Sequence, residues 1–168
     1  MKLIRKIQVT FIVLFATTFA IAQGKPSSSK EVATGKINGA MITINYGSPS
    51  VNGREIWGGL VPYDKVWRAG ANDATTFTTD KDLTVEGAKL PAGKYSFFII
   101  PNGKESTIIF NKVDKQWGAG KYNEKEDQLR VMVKPQATKT STEKLVYTIE
   151  KNKVVVSWSN WNIPIAVK

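Results

Sequence analysis

The stretch Leu90–Lys104, LPAGKYSFFIIPNGK, combines a turn, an apolar strand and a second turn. Tyr95 and Phe97 fall on the same side of the strand, because successive side chains of an extended chain point to opposite faces. Pro91 presets the φ angle of the first turn, and Asn102-Gly103 is a strong hairpin signal after the strand. The stretch therefore predicts one antiparallel strand between two tight turns.

The same period of two recurs along most of the chain, and no segment after residue 23 shows a helical period over three turns. About nine or ten strands at short spacing favour an all-β fold, a single antiparallel β-sandwich, with a partly closed β-barrel as the alternative. Lys134–Lys144 is predicted to be a polar loop, and a tight reversal is predicted at Asn152. The alternating runs are MITINY (41–46), YSFFII (95–100), QLRVMV (128–133), KLVYTIE (144–150), KVVVSWS (153–159) and NIPIAV (162–167).

Residues 1–22 have the organisation of a secretory signal peptide. Three early positive charges precede an apolar run, and Ala20-Ile21-Ala22 forms a small-residue cleavage site. The alternative is a retained membrane anchor, but a membrane span needs roughly 20 apolar residues and this run is shorter. Residues 23–31 are polar and are predicted to be a flexible tether, which leaves 32–168 as the β-sandwich domain. The protein is therefore expected to be exported, to the periplasm or the cell exterior, with no membrane span after cleavage.

The composition excludes several kinds of site, because the chain contains neither His nor Cys. Nucleophile systems that use His, as well as zinc and most transition-metal sites, need those side chains. We therefore predict no cofactor, no transition metal and no catalytic residue. Oxygen donors leave calcium open at Asp73, Asp80 and Asp82. Glu55 and Asp64 are further acids, but no spacing places two carboxylates across a cleft as a glycosidase requires.

The formal charge is +10, of which three charges lie in the predicted signal peptide, so about +7 remains after cleavage. The lysines are scattered along the chain, which is typical of a solvated surface, although this charge also favours contact with anionic partners. Nucleic acid is not expected as a partner of an exported protein. The sequence leaves the oligomeric state undetermined.

The candidate ligand residues lie in and around VWRAGANDATTF, which runs from Val66 to Phe77. Gly70 and the alanines beside it allow a tight reversal or the close approach of another backbone. Arg68 and Asp73 flank that reversal and are predicted to pair with each other. If Arg68 instead points outward, its planar fork of donors suits a carboxylate or a phosphate. We predict that Arg68 and Asn72 line one rim of a shallow cleft, with Asp73 fixing Arg68.

The tryptophans divide into two groups by sequence context. Trp158 continues the apolar face of Val154 and Val156, and Trp67 should point to the opposite face of its strand from Arg68, so both are predicted to lie in the core. Trp57 and Trp117 are each followed directly by glycine in a predicted loop, where an indole can either cover the end of the core or form a stacking platform. Covering the core is favoured for Trp57, which is placed as a supporting residue of the site. Trp117 is predicted to stand opposite Arg68 and to stack on a ligand.

Several ordered stretches resemble the bacterial family known as domain of unknown function 2911. They are GREIWGGLVPY (53–63), VWRAGANDATTF (66–77) and LPAGKYS (90–96), and the similarity extends from about Tyr46 to Pro135. The resemblance implies an exported, compact bacterial domain and implies no activity, substrate or cofactor. Asp64 departs from the family pattern, which favours glycine there. Matching positions are Arg54, Trp57, Gly58, Pro62, Tyr63, Trp67, Arg68, Gly70, Ala71, Asn72, Thr75, Pro91, Gly93, Tyr95, Trp117 and Gly118.

These observations favour a non-catalytic binding domain for a ligand of the cell envelope, such as a glycan or an anionic polymer. One alternative is a carboxylate-dependent hydrolase, and another is a structural interaction domain.

Export by a bacterial host should remove the predicted signal peptide by cleavage after Ala22. Mass spectrometry of the exported protein should then show a chain that begins at Gln23. An exported protein that still begins at Met1 would contradict this prediction.

Overall fold

The computed structural model describes residues 28–168, so the predicted signal peptide and the first part of the predicted tether lie outside the described residues. Ten β-strands and one 3-10 turn, Glu124–Glu126, are the regular elements of this part of the chain, and no helix in it is long and apolar enough to cross a membrane. The strands are β1 (Ser29–Ile37), β2 (Ala40–Ser48), β3 (Thr75–Thr79), β4 (Leu83–Val85), β5 (Ala88–Leu90), β6 (Gly93–Ile100), β7 (Ser106–Asn111), β8 (Asp127–Val133), β9 (Gln136–Ile149) and β10 (Lys153–Ala166).

The strands form an antiparallel β-sandwich, as predicted, and the sheets do not close into a barrel. One layer is a six-stranded sheet in the order β1-β2-β3-β6-β7-β8. The other layer contains the long β9–β10 hairpin and the short β4–β5 hairpin. These two hairpins are joined near the C-terminus, where the backbones of Thr84 and Lys168 exchange hydrogen bonds of 2.7 and 2.8 Å.

The core lies between the two layers and follows the predicted alternation. On β6, Tyr95 and Phe97 belong to the main buried cluster, while Phe98 on the opposite face joins a second, smaller cluster. Ala119 and Tyr122 pack against that second cluster. The loop between β7 and β8 therefore covers the outer face of the six-stranded sheet and is held close to it.

The predicted polar loop at Lys134–Lys144 is wrong, because β9 begins at Gln136 and runs without interruption to Ile149. The first nine residues of β9 are mostly exposed, so no alternation of apolar residues marks them. They extend as a strand because β10 pairs with them, with Ala137 opposite Trp161. The two strands predicted at 153–159 and 162–167 are likewise one strand with irregular register around Ser159. Ser29 begins β1, so the last residues assigned to the tether also lie in a strand.

The reversal at Ala69–Asn72 lies against β2 with almost no space between the two backbones. The amide of Ala71 donates a hydrogen bond of 3.1 Å to the carbonyl of Gly47. A Cβ placed on Gly47 would lie only 2.2 Å from the carbonyl oxygen of Ala71. Only glycine fits at this point of β2, because the atom in the way belongs to the backbone and cannot rotate aside.

Gly47→Ala should lower the free energy of unfolding by about 1–3 kcal/mol, as overpacking of a tight contact does. Urea denaturation measures the change. Gly120→Ala is the matched control, because no atom lies within 4 Å of a Cβ placed there, and it should change stability by less than about 0.5 kcal/mol. Equal stability of the Gly47→Ala variant and the parent would show that the turn can move away from β2.

Candidate functional site

The turn that carries Arg68 is held through the carbonyl group of Ala69. This oxygen accepts a hydrogen bond of 2.7 Å from the hydroxyl of Tyr147 on β9 and one of 2.9 Å from the hydroxyl of Thr75 on β3. Ala69 is completely buried and has a φ of 53°, a left-handed conformation that costs energy for any residue except glycine. Strained backbone persists only where the surroundings fix it, and such strain is frequent at functional sites.

The predicted ion pair between Arg68 and Asp73 is not formed. The Nε atom of Arg68 instead donates to the carbonyl of Gly70 at 3.3 Å, and no ion pair of residues 28–168 includes Arg68. Asp73 is exposed, and its backbone forms a β-bridge with Trp117. The turn is therefore held by hydroxyl and backbone hydrogen bonds together with the bond from Nε of Arg68 to Gly70, and no ion pair closes it.

Arg68 lines a cleft of about 600 Å³. The start of β1, the loop after β2, the turn at Gly70 and the middle of β9 form its walls. Its cations are Arg54, Arg68 and Lys144, and no Asp or Glu lines it. Field lines concentrate in a concave surface that carries charge of one sign, so this cleft should attract anions.

The three cations have different environments. The guanidinium of Arg54 is partly buried and bonds to the carbonyls of Ser50 and Val51, so it also supports its own loop. Lys144 is exposed, and a β-bridge between Ser50 and Lys144 brings it to the cleft. None of the three takes part in an ion pair within the described part of the chain. By contrast, Arg130 on β8 pairs with two carboxylates, Glu124 and Asp127.

The apolar side of the cleft includes Trp67 and Trp158, whose rings stack with centroids 5.7 Å apart. Trp158 is buried as predicted, whereas Trp67 packs on the core and is also partly open to the cleft. Trp57 lies behind them, is 6% exposed and stacks on Trp161 at 4.6 Å. Trp57 therefore packs over the end of the core, and it does not line the cleft.

Trp117 is 66% exposed and lies beside the cleft without lining it. Its neighbour Gly118 touches Arg68, since a Cβ placed on Gly118 would lie 2.9 Å from Nη1 of that arginine. The structure thus brings Arg68 and the Trp117 loop together. Asn72 is half-buried with a φ of 65°, which asparagine tolerates better than most residues, and it lies outside the cleft lining. Gly70 lines the cleft and leaves no room for a side chain beside Thr75.

The acidic residues considered from the sequence serve turns instead. Asp80 accepts a hydrogen bond from the amide of Met41, and Asp64 accepts one from the side chain of Asn102. Asp82 binds Lys89 and the amide of Ala92, and these bonds lower the pKa of its carboxyl group. Between residues 28 and 168 no three acidic side chains converge as a cation site would require. The oxygen donors considered for calcium therefore do not form a site together.

Sequence reasoning missed Arg54, Lys144 and Tyr147 as parts of this site. Lys144 stood in the predicted loop, and nothing near it in the sequence indicates that Ser50 pairs with it. The alternation in KLVYTIE places Tyr147 in a strand, but its bond to Ala69 spans 78 positions of the sequence. Only the tertiary fold brings these side chains to the turn at Arg68.

Comparison with protein families gives a match to the family described as "Protein of unknown function (DUF2911)", over residues 28–167. Comparisons with curated proteins and with solved structures give no match. The family match spans both layers of the sandwich and every wall of the cleft. The chain therefore belongs to the DUF2911 family.

Proposed function

We propose that this protein is an exported, non-catalytic binding domain whose cleft holds an anionic glycan or another anionic polymer of the cell envelope. The observation that carries the proposal is the composition of the cleft. Three cations line it, none of them is in an ion pair, and the lining contains no carboxylate; Glu143, next to it, accepts a hydrogen bond from the amide of Asn52. An anion would supply the missing counter-charge.

The geometry of Arg68 supports an anion as the ligand. Nε donates a hydrogen bond to the carbonyl of Gly70, which orients the guanidinium, and no ion pair among residues 28–168 includes Arg68. A guanidinium offers parallel donors that match a carboxylate or a phosphate in two-point contact. Because the turn beneath it is fixed by Tyr147 and Thr75, little side-chain and loop ordering remains to oppose binding.

The other walls of the cleft suit a ligand that carries hydroxyl groups. Ser28, Ser29, Ser50 and Asn52 line it, and each can both donate and accept hydrogen bonds. Trp67 adds a partly exposed aromatic surface. A few polar groups around an aromatic wall are typical of sites for small organic ligands.

A carboxylate-dependent hydrolase would need two acids facing the same bond, whereas the cleft lining contains none. The lining also contains no acid that could act as a general base, which fits a binding site better than a catalytic one. Binding without catalysis is therefore the function that the cleft supports best.

Arg68→Ala should weaken binding of polygalacturonate by about 10- to 100-fold, the loss expected for a charge-assisted hydrogen bond of about 1.5–3 kcal/mol. Quenching of tryptophan fluorescence measures the affinity, since Trp67 and Trp158 line the cleft. Neutral dextran should bind weakly to both proteins, and added salt should weaken the binding of the acidic polymer. Lys151→Gln is the control, because it removes an exposed charge from the β9–β10 turn and not from the cleft.

The same variants separate a ligand residue from a structural one. Arg68→Ala should cost less than about 1 kcal/mol of folding stability, whereas Trp67→Ala should cost about 3 kcal/mol because its ring packs on Trp57 and Trp158. Chemical denaturation measures both. If Arg68→Ala destabilises the protein as much as Trp67→Ala, then Arg68 is a structural residue and the proposed function loses its main support.

A further inference from the structure

We propose that the binding site continues past Arg68 onto the exposed ring of Trp117, so that the ligand is an acidic oligosaccharide of at least two sugar rings. This inference rests on the proposed function, because it adds a second subsite to the same cleft. It specifies both the chemical class of the ligand and its minimum length.

The first observation is the exposure of Trp117. At 66% it exceeds every other exposed large apolar side chain among the residues that the structure describes. An indole carries a large apolar surface and is usually well buried, and the other four tryptophans all pack together at the end of the core. Trp117 alone is held away from that cluster.

The second observation is that the loop presenting Trp117 is fixed at both ends. Asn111 is fully buried, and its Oδ1 accepts hydrogen bonds of 3.1 Å from the amide of Val113 and from the side chain of Gln116. Its Nδ2 donates to the carbonyl of Asn123 at 3.0 Å and to Asp127 at 2.8 Å. One buried amide thus ties the beginning of the loop to its end, so the indole is exposed on a rigid support.

The third observation is the position of this loop relative to the cleft. The backbone of Trp117 forms a β-bridge with Asp73, and the amide of Ala74 donates to the carbonyl of Gln116 at 3.0 Å. Gly118 then touches the guanidinium of Arg68, and Ala119 lines the cleft. The loop that carries Trp117 therefore runs beside Arg68 at the edge of the cleft.

The chemistry of the two positions selects an acidic oligosaccharide. Inside the cleft, Arg68 and Lys144 suit an acidic group, and the serine side chains suit hydroxyls on the same ring. Trp117 does not line the cleft, so a single ring enclosed there would not reach the indole. A second ring that leaves the cleft at Arg68 would lay its face of C–H groups on the exposed indole, while its hydroxyls remain in water.

Calorimetric titration with galacturonic acid and with its dimer and tetramer tests the proposal, since calorimetry does not depend on the fluorescence of Trp117. The purified protein should bind the dimer and the tetramer more tightly than the monomer. Trp117→Ala should weaken tetramer binding by about tenfold, the scale of a favourable aromatic contact, and leave monomer binding unchanged. Trp117→Phe should retain most of the affinity. Val113→Ala is the matched control, because Val113 is an exposed apolar residue of the same loop.

The possible results distinguish this inference from the proposed function. If the tetramer binds in an Arg68-dependent way but Trp117→Ala binds it as tightly as the parent, the second subsite is wrong and the anion cleft stands. If Arg68→Ala binds the tetramer as tightly as the parent, the proposed function is wrong as well. If polyglutamate or oligothymidylate of matched charge binds as tightly as the tetramer and also depends on Trp117, the ligand class is overturned.

Discussion

The carbonyl oxygen of Ala69 accepts hydrogen bonds from two buried hydroxyls, and the arrangement of the site depends on this contact. Tyr147 reaches it from β9 in one layer, and Thr75 reaches it from β3 in the other. The bonds hold a buried alanine in a left-handed conformation, which compensates the strain of that conformation. Burial also raises the pKa of the Tyr147 hydroxyl, so this group stays protonated and remains a donor at any ordinary pH.

Because no ion pair closes the turn, no carboxylate of the described residues competes with a ligand for Arg68. A turn held by an Arg68–Asp73 ion pair would satisfy the guanidinium within the protein and leave few of its hydrogen-bond donors for a ligand. The described residues do form ion pairs elsewhere, at Arg130 and at several lysines. The cations of the cleft differ from these, because none of them is paired. Partial exposure keeps the cleft cations hydrated, which limits the cost of leaving them without counter-charges.

The sequence predicts the strands well where one face is buried and poorly where neither face is. On β6 the alternation of large apolar residues determines both the strand and its two faces, because the pattern is local. The first half of β9 lacks such a pattern, since pairing with β10 and not burial keeps it extended.

The site shows the same distinction between local and long-range signals. Arg68 and Trp117 stand out by residue type beside glycines, whereas the roles of Lys144 and Tyr147 come from pairings between distant parts of the chain.

Separate groups of hydrogen bonds support the cleft and the loop of the exposed indole, and the two supports meet at one backbone contact. Tyr147 and Thr75 fix the turn under Arg68, Asn111 fixes the loop of Trp117, and the bridge between Asp73 and Trp117 joins the two supports. A rigid spacing between a charge and a flat apolar surface discriminates by shape, because a flexible polyanion gains from the charges but cannot place a ring on the indole without losing conformational freedom. Charge alone would attract many anions to this basic protein. In the proposed site, the position of the Trp117 loop beside Arg68 would be the feature that selects among them.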